Sequence, residues 1–266
     1  MKIIVCVKQV PDTTGKVAVN PDGTLNRASM EAIINPDDKN AVEAALQLKD
    51  ESGCKVIIVS MGPPPAEGML RELIAMGADE AILVSAREFG GSDTYATSQI
   101  LAAAIKKLGL EEGDLVFCGR QAIDGDTAQV GPQIAEKLGL PQISYVADIK
   151  LEGKTVTCKR MLEDGYMTIR TQTPCLLTCI KELNTPRYMS ITGVVDCYSK
   201  PLSIYNFETL KDDPLIDLQT IGLKGSPTNI FKSFTPPQKG VGMMLEGADK
   251  ATCAKLADIL AEKHIV

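Results

Sequence analysis

Lys55-Val56-Ile57-Ile58-Val59-Ser60-Met61-Gly62-Pro63 is an apolar, β-branched run that breaks off at a small hydroxyl residue, a glycine and a proline. The run from Val56 to Val59 does not alternate apolar with polar residues. A strand with this composition is buried on both faces, as in a parallel sheet covered by helices on each side. Upstream, Asn35-Pro36-Asp37-Asp38 reads as a helix start: Asn at the N-cap, Pro at the first helical position and acids in the first turn. Ala41, Ala44, Ala45 and Leu48 then recur at helical spacing. Downstream, a helix over 66–76 ends at Gly77 and another over 94–108 ends at Gly109, each glycine suited to a C-cap. Further apolar strands are expected at 2–7, 81–84 and 114–118. Strands alternating with amphipathic helices predict an α/β fold, a mostly parallel twisted sheet with helices on both faces.

Beyond Gln142 the pattern changes. Residues 149–160 read as a β-hairpin turning at Glu152-Gly153-Lys154, and 166–170 and 175–180 are further strand-like runs. Periodicity is poor from 201 to 239, where Pro201, Pro214, Pro227, Pro236 and Pro237 punctuate the chain. Such a long weakly ordered stretch is unusual inside a compact domain and predicts an arm that wraps another protein. A last helix over 249–263 is expected to bury Leu256, Ile259 and Leu260. The expected division is 1–200, an α/β nucleotide-binding domain with added strands, and 201–266, an extended arm with a terminal helix that packs on a partner.

Composition narrows the chemistry. The chain has 266 residues, enough to bury a core without disulfides or metals. It contains one histidine, His264 near the carboxyl end, which excludes most histidine-based triads, metallohydrolases and general bases. A net charge of −6 argues against a nucleic-acid scaffold. No apolar run approaches membrane-spanning length, and the chain opens directly as a strand without a signal-peptide pattern, so a cytoplasmic protein is expected. The eight cysteines are scattered, and the close pair Cys175 and Cys179 does not have metal or redox spacing, so buried reduced thiols are expected. No catalytic residue and no metal site are assigned.

In an open parallel sheet ligands bind beyond the carboxyl ends of the strands. Those ends are Val7-Lys8-Gln9-Val10-Pro11-Asp12, Ser60-Met61-Gly62-Pro63, and Gly119-Arg120-Gln121-Ala122-Ile123-Asp124-Gly125-Asp126-Thr127. The last leads into a helix through Ala128-Gln129-Val130-Gly131-Pro132, and a helix N-terminus suits a pyrophosphate. Pro132 sits comfortably only in a first turn, so this helix can begin as late as Val130. Neither GxGxxG nor GxxxxGK[ST] is present, and an ordinary Gly/Asp turn capping a helix fits the same residues. The second candidate is Phe89-Gly90-Gly91-Ser92-Asp93-Thr94-Tyr95-Ala96-Thr97-Ser98, whose Thr94 and Thr97 hydroxyls lie one helical turn apart. It reads equally as a ligand loop or as a cap on a surface helix. Asp37, Asp38, Asp124 and Asp126 could bind Mg²⁺ or share a proton, but they read more simply as solvated caps. A held nucleotide whose own chemistry does the work is the expected role.

These segments, taken in order, closely resemble the β subunit of electron-transfer flavoproteins over essentially the whole chain. The stretches that carry the resemblance are Val5-Cys6-Val7-Lys8, Ile34-Asn35-Pro36 with Ala41-Val42-Glu43-Ala44-Ala45, Val59-Ser60-Met61-Gly62-Pro63, Ala75-Met76-Gly77-Ala78-Asp79, Gly119-Arg120-Gln121-Ala122-Ile123-Asp124 and Leu183-Asn184-Thr185-Pro186-Arg187-Tyr188. The resemblance implies an adenine-nucleotide-α-hydrolase-like fold and a heterodimer with an α subunit that carries a FAD. It also implies a nucleotide site at Val7, Asn35, Ser60, Met61, Gly62, Gly119, Arg120, Gln121, Asp124, Thr127, Ala128, Gln129 and Val130. The 91–98 stretch is similar to that of electron-bifurcating members, which adds Asp93, Thr94 and Thr97 around a second FAD next to which NADH binds. Such members pass one electron to ferredoxin or flavodoxin and the other, through the α-subunit FAD, toward an acyl-CoA dehydrogenase. Two alternatives stand beside this one: a conventional member with structural AMP in the β site, and a stand-alone adenine-nucleotide-binding protein. Where conventional members carry a Leu-Pro recognition loop after the Pro-Arg-Tyr element, this chain reads Met189-Ser190-Ile191-Thr192-Gly193.

Overall fold

A computed structural model describes residues 1–12, 31–229, 231, 240 and 242–266. The unalternating apolar runs become the centre of one twisted sheet. They are β1 (Lys2–Cys6), β4 (Lys55–Met61), β5 (Glu80–Val84) and β6 (Leu115–Gly119). β2 (Gln9–Pro11) and β3 (Ala32–Ile34) form a small separate antiparallel pair that the sequence reading did not anticipate. The strands β7 (Gln142–Glu152), β8 (Thr155–Leu162), β9 (Gly165–Gln172), β10 (Cys175–Cys179) and β11 (Leu202–Tyr205) complete the main sheet, in the order β11-β5-β4-β1-β6-β10-β7-β8-β9. Pairing is parallel from β11 to β7 and antiparallel through β8 and β9.

Helices cover both faces, as the unalternating strands require. On one side α1 (Pro36–Ser52) and α2 (Glu67–Met76) bury Ala41, Ala45, Leu70 and Leu73 against Ile3, Val5, Ile58 and Phe117. On the other, α3 (Thr94–Leu108) and α4 (Val130–Leu138) bury Ile100, Ile105 and Ile134 against Ile4, Ile57 and Val116. α4 begins at Val130, which leaves Pro132 in its first turn.

Several sequence expectations are corrected. Asn35 does not cap α1 with its side chain; it is fully buried and turned toward the 121–123 loop instead. Asp37 and Asp38 are not solvated but buried, because the first turn of α1 packs against the end of β6. Residues 202–226, expected within the arm, join the body of the fold. β11 pairs with β5, and Leu210, Ile216 and Ile221 enter the core alongside α6 (Phe207–Leu210) and α7 (Gly222–Gly225). Pro236 and Pro237 lie outside the described residues. The short α5 (Ile191–Asp196) leaves Ile191 and Val195 exposed. The terminal helix α8 (Lys250–Glu262) buries none of its residues; Leu256 is exposed, and Ile259 and Leu260 are only partly covered. Seven cysteines are buried and unpaired, whereas Cys253 on α8 is exposed.

Candidate functional site

The carboxyl ends of β1, β4 and β6 and the amino ends of α1, α3 and α4 surround a cavity of about 140 Å³. Its lining includes Val7, Met61, Thr97, Gly119, Arg120, Gln121, Thr127, Ala128, Gln129 and Val130, all anticipated from sequence. Lys8, Ala122 and Gly131, which fall within the stretches read as the ligand end, line it as well, as do Asp38, read as a cap, and Cys6, Leu101 and Cys118, which were not anticipated. A wider cleft of about 750 Å³ adjoins it, sharing Lys8 and Met61 and running between Gly62–Pro64 and the turn from Ser85 to Ser92.

The loop after β6 is built to leave backbone donors free. Asp126 and Ala128 take left-handed backbone angles, φ 51° and 52°, at a cost of about 1 kcal/mol each. From Thr127 through Gly131 no backbone N–H has an acceptor among the described residues. Five consecutive free donors at a helix N-terminus form an anion cradle. Gly131 sits here because a Cβ would meet Thr178 Cγ2 at 2.7 Å.

Side chains remote in sequence hold this loop. Asn35 Nδ2 donates to the Gln121 carbonyl at 2.8 Å, and Asn35 Oδ1 accepts from the Ile123 N–H at 3.0 Å. Lys8 Nζ donates to both carboxylate oxygens of Asp124, at 2.7 and 2.9 Å. Gln121 Nε2 donates to Asp126 Oδ1 at 2.8 Å. Arg120 Nε lies 3.2 Å from Asp37 Oδ2. Burial raises the Asp37 carboxyl above the usual range, and the Arg120 charge only partly opposes it. Asp38 lies deeper. Its two oxygens accept the Lys8 and Gly119 N–H groups at 2.8 and 2.9 Å. Ser60 Oγ is buried and makes no hydrogen bond, an unmet polar atom at the end of β4.

The 91–98 stretch divides its work. Asp93 Oδ1 caps α3 by accepting from Ala96 N–H at 3.0 Å, and its Oδ2 accepts from Thr228 N–H and Oγ1 at 3.0 and 2.7 Å. Burial alone would raise its carboxyl, but these hydrogen bonds outweigh it and hold the group below the usual range. Thr94 Oγ1 donates to Gln129 Oε1 at 2.8 Å, which links α3 to the loop before α4, while Thr97 reaches the cavity wall. Asp93 therefore serves as the helix cap that one reading of this stretch expected, while Thr97 lines the cavity and Thr94 holds Gln129 beside it. Lys8 and Asp38 were missed as site residues because one reads as a strand-end residue and the other as a helix cap. The signal available was that both fall in strand-end and helix-start segments that converge on one sheet edge.

The residues fit a phosphate-bearing nucleotide: the free N–H row suits phosphate, and Ser60 offers an unsatisfied hydroxyl. Among the described residues no cluster of His, Cys, Asp or Glu is arranged to hold a metal ion, and no helix is long and apolar enough to cross a membrane. Comparison with known proteins agrees with the fold. Residues 22–197 match the electron transfer flavoprotein domain. The chain is 70% identical over 267 residues to the acryloyl-CoA reductase electron transfer subunit gamma of Anaerotignum propionicum, covering 100% of both chains. It is 54% identical to the caffeyl-CoA reductase-Etf complex subunit CarD of Acetobacterium woodii and 50% identical to the electron transfer flavoprotein subunit beta of Clostridium acetobutylicum, again across 100% of each chain. With the domain covering most of its length and such relatives aligned end to end, the chain belongs to the electron transfer flavoprotein family, among its β subunits.

Proposed function

We propose that this β subunit holds FAD at the strand ends and takes part in electron bifurcation within a cytoplasmic heterodimer with an α subunit. The observation that carries this is the pairing of an anion cradle with a second, larger cleft. The cradle over 127–131 suits a pyrophosphate, and the adjoining space of about 750 Å³ gives room that a mononucleotide such as AMP leaves empty. FAD bound there would supply acceptance of a hydride from NADH and delivery of single electrons, one to ferredoxin or flavodoxin and one through the α-subunit FAD to an acyl-CoA dehydrogenase-type partner. The relatives named for acryloyl-CoA and caffeyl-CoA reductase support a partner that acts on acyl-CoA thioesters.

The chain's own residues bind and orient. Val7, Gly119, Arg120 and Gln121 wall the inner cavity, Met61 lines both spaces and Gly62 the larger cleft, and Ser60 precedes Met61 at the end of β4 with its hydroxyl unmet. The N–H groups of Thr127, Ala128, Gln129 and Val130 receive phosphate. Asn35 and Asp124 hold the loop, and Asp93 sets the position from which Thr94 and Thr97 reach the ring end of the nucleotide. The purified heterodimer is expected to release about two FAD per αβ pair on denaturation. One FAD with one AMP would instead assign the conventional role.

The arm is proposed to embrace the α subunit. Leu256, Ile265 and Val266 at the carboxyl end stay 47%, 64% and 81% exposed. Covering several such side chains contributes on the order of 1.5–3 kcal/mol each. Removing residues 249–266 should therefore weaken association with the α subunit by at least tenfold in sedimentation equilibrium, while the melting transition of the isolated β chain stays in place.

A further inference from the structure

We propose that Asp38 is the protonatable group of the nucleotide site, and that binding the nucleotide there takes up a proton on its carboxyl. This rests on the strand-end site proposed above and adds a coupled equilibrium to it.

The geometry is that of a buried carboxylate without a cation. Asp38 is 7% exposed and forms part of the cavity wall. Among the described residues its donors are neutral groups: the N–H of Lys8 at the end of β1 and of Gly119 at the end of β6, and the Asn35 side chain. The charged groups around it are all committed elsewhere. The Lys8 amine pairs with Asp124 and the Arg120 guanidinium with Asp37. Asp37, its neighbour on α1, adds like charge. The remaining groups facing it are thiols: Cys118 on β6, hydrogen-bonded to Cys6 on β1, and Cys179 on β10. Burial and these neighbours hold the Cys118 and Cys179 thiols neutral, so they bring no compensating charge. An unpaired buried charge is disfavoured enough that such groups neutralise rather than persist. Burial accordingly pushes the Asp38 carboxyl up to about 7, against the pull of the Lys8 and Gly119 N–H groups.

A nucleotide entering the cavity changes two terms in the same direction. It displaces the remaining water from the wall that Asp38 forms, and its phosphates bring negative charge onto the neighbouring 127–131 loop. Both disfavour the carboxylate and raise its pKa further. By linkage, a ligand that raises a pKa binds the protonated form more tightly, so affinity falls as pH rises above about 7. The neutral carboxyl still accepts a backbone N–H and gains an O–H that can donate to the bound nucleotide.

The test is calorimetric titration of FAD into heterodimer depleted of its β-site nucleotide, between pH 7 and 8.5, in buffers of different ionisation enthalpy. The FAD pyrophosphate does not titrate in this range, so proton uptake reports the protein. The wild type is expected to take up close to one proton toward the alkaline end, with affinity falling toward tenfold per pH unit. Asp38→Asn should bind with one affinity across the range and no uptake, and Asp37→Asn should still take up the proton, with the onset moved to lower pH because the like charge beside Asp38 is gone. Wild-type binding without uptake, or uptake that persists in Asp38→Asn, overturns the proposal while leaving the FAD site standing. If Asp38→Asn does not fold, the buffer dependence of the wild type and of Asp37→Asn decides by itself. Absence of FAD binding at every pH removes the site assignment and this proposal together.

Discussion

Replacing Gly119 with alanine is expected to empty the nucleotide site and lower the melting midpoint by about ten degrees. A Cβ at this position would stand 2.3 Å from Asp38 Oδ1, 2.6 Å from the Asp38 nitrogen and 2.7 Å from the Asp37 carbonyl carbon. Two of those atoms are backbone in the first turn of α1, so no rotamer change relieves the contact; the helix must back away. Overpacking of this kind costs about 1–3 kcal/mol. Retreat of α1 also strips the Gly119 and Lys8 N–H groups of their Asp38 acceptor, and each orphaned buried donor adds about 1–3 kcal/mol. The site suffers beyond the loss of stability, since the same turn carries Asn35, whose side chain holds the Gln121–Ile123 backbone. Gly125→Ala is the matched control, because a Cβ there meets nothing within 4 Å. Thermal denaturation of both variants, with nucleotide content measured on each, decides it: equal melting midpoints and equal nucleotide in the two would show that the tight approach at Gly119 does not exist.

The same region shows what was legible in the sequence. Strand and helix spacing identified β1, β4, β5 and β6 and the helices between them, because unalternating β-branched runs and 3.6-residue periodicity are local signals. That the cavity opens at the carboxyl ends of the strands was foreseeable from strand polarity alone. What periodicity could not give was contact between remote segments. Asn35 looks like a cap in isolation, yet its side chain serves a loop 86 residues away. Asp38 reads as a first-turn acid until β6 is placed against it. Residues 202–226 look like an arm because their apolar positions, Leu210, Ile216 and Ile221, are too sparse to show a period, although each finds the core. The exposed face of α8 is the converse: helical spacing identifies the stripe but not what covers it.

Arg187 carries the second large effect, and here the balance is between a buried charge and its partner. Its backbone N–H and Nε donate to Glu43 Oε2 at 3.0 and 2.9 Å, and Nη2 donates to Glu43 Oε1 at 3.0 Å and Asp50 Oδ2 at 2.8 Å. The hydrogen bonds it donates to Glu43 and Asp50 hold the guanidinium well above its ordinary pKa, so it is charged at every accessible pH. Glu43 is 4% exposed on α1, while the Arg187 side chain is 32% exposed. Arg187→Met removes the side-chain donors and leaves the Glu43 carboxylate buried with the backbone N–H alone. Removing one partner of a buried pair costs about 3–5 kcal/mol; with solvent already reaching the arginine, about 2–4 kcal/mol is expected. Glu43→Gln combined with Arg187→Met should lose less than Arg187→Met alone, since no charge is left uncompensated. Denaturant unfolding of the single and double variants measures this. A double variant no more stable than Arg187→Met alone would remove the buried ion pair as the cause. Because Arg187 ties the segment before α5 to α1, the exposed Tyr188, Ile191 and Val195 lose their fixed placement in the same variant, which couples the stability of the α1 face to the presentation of that surface.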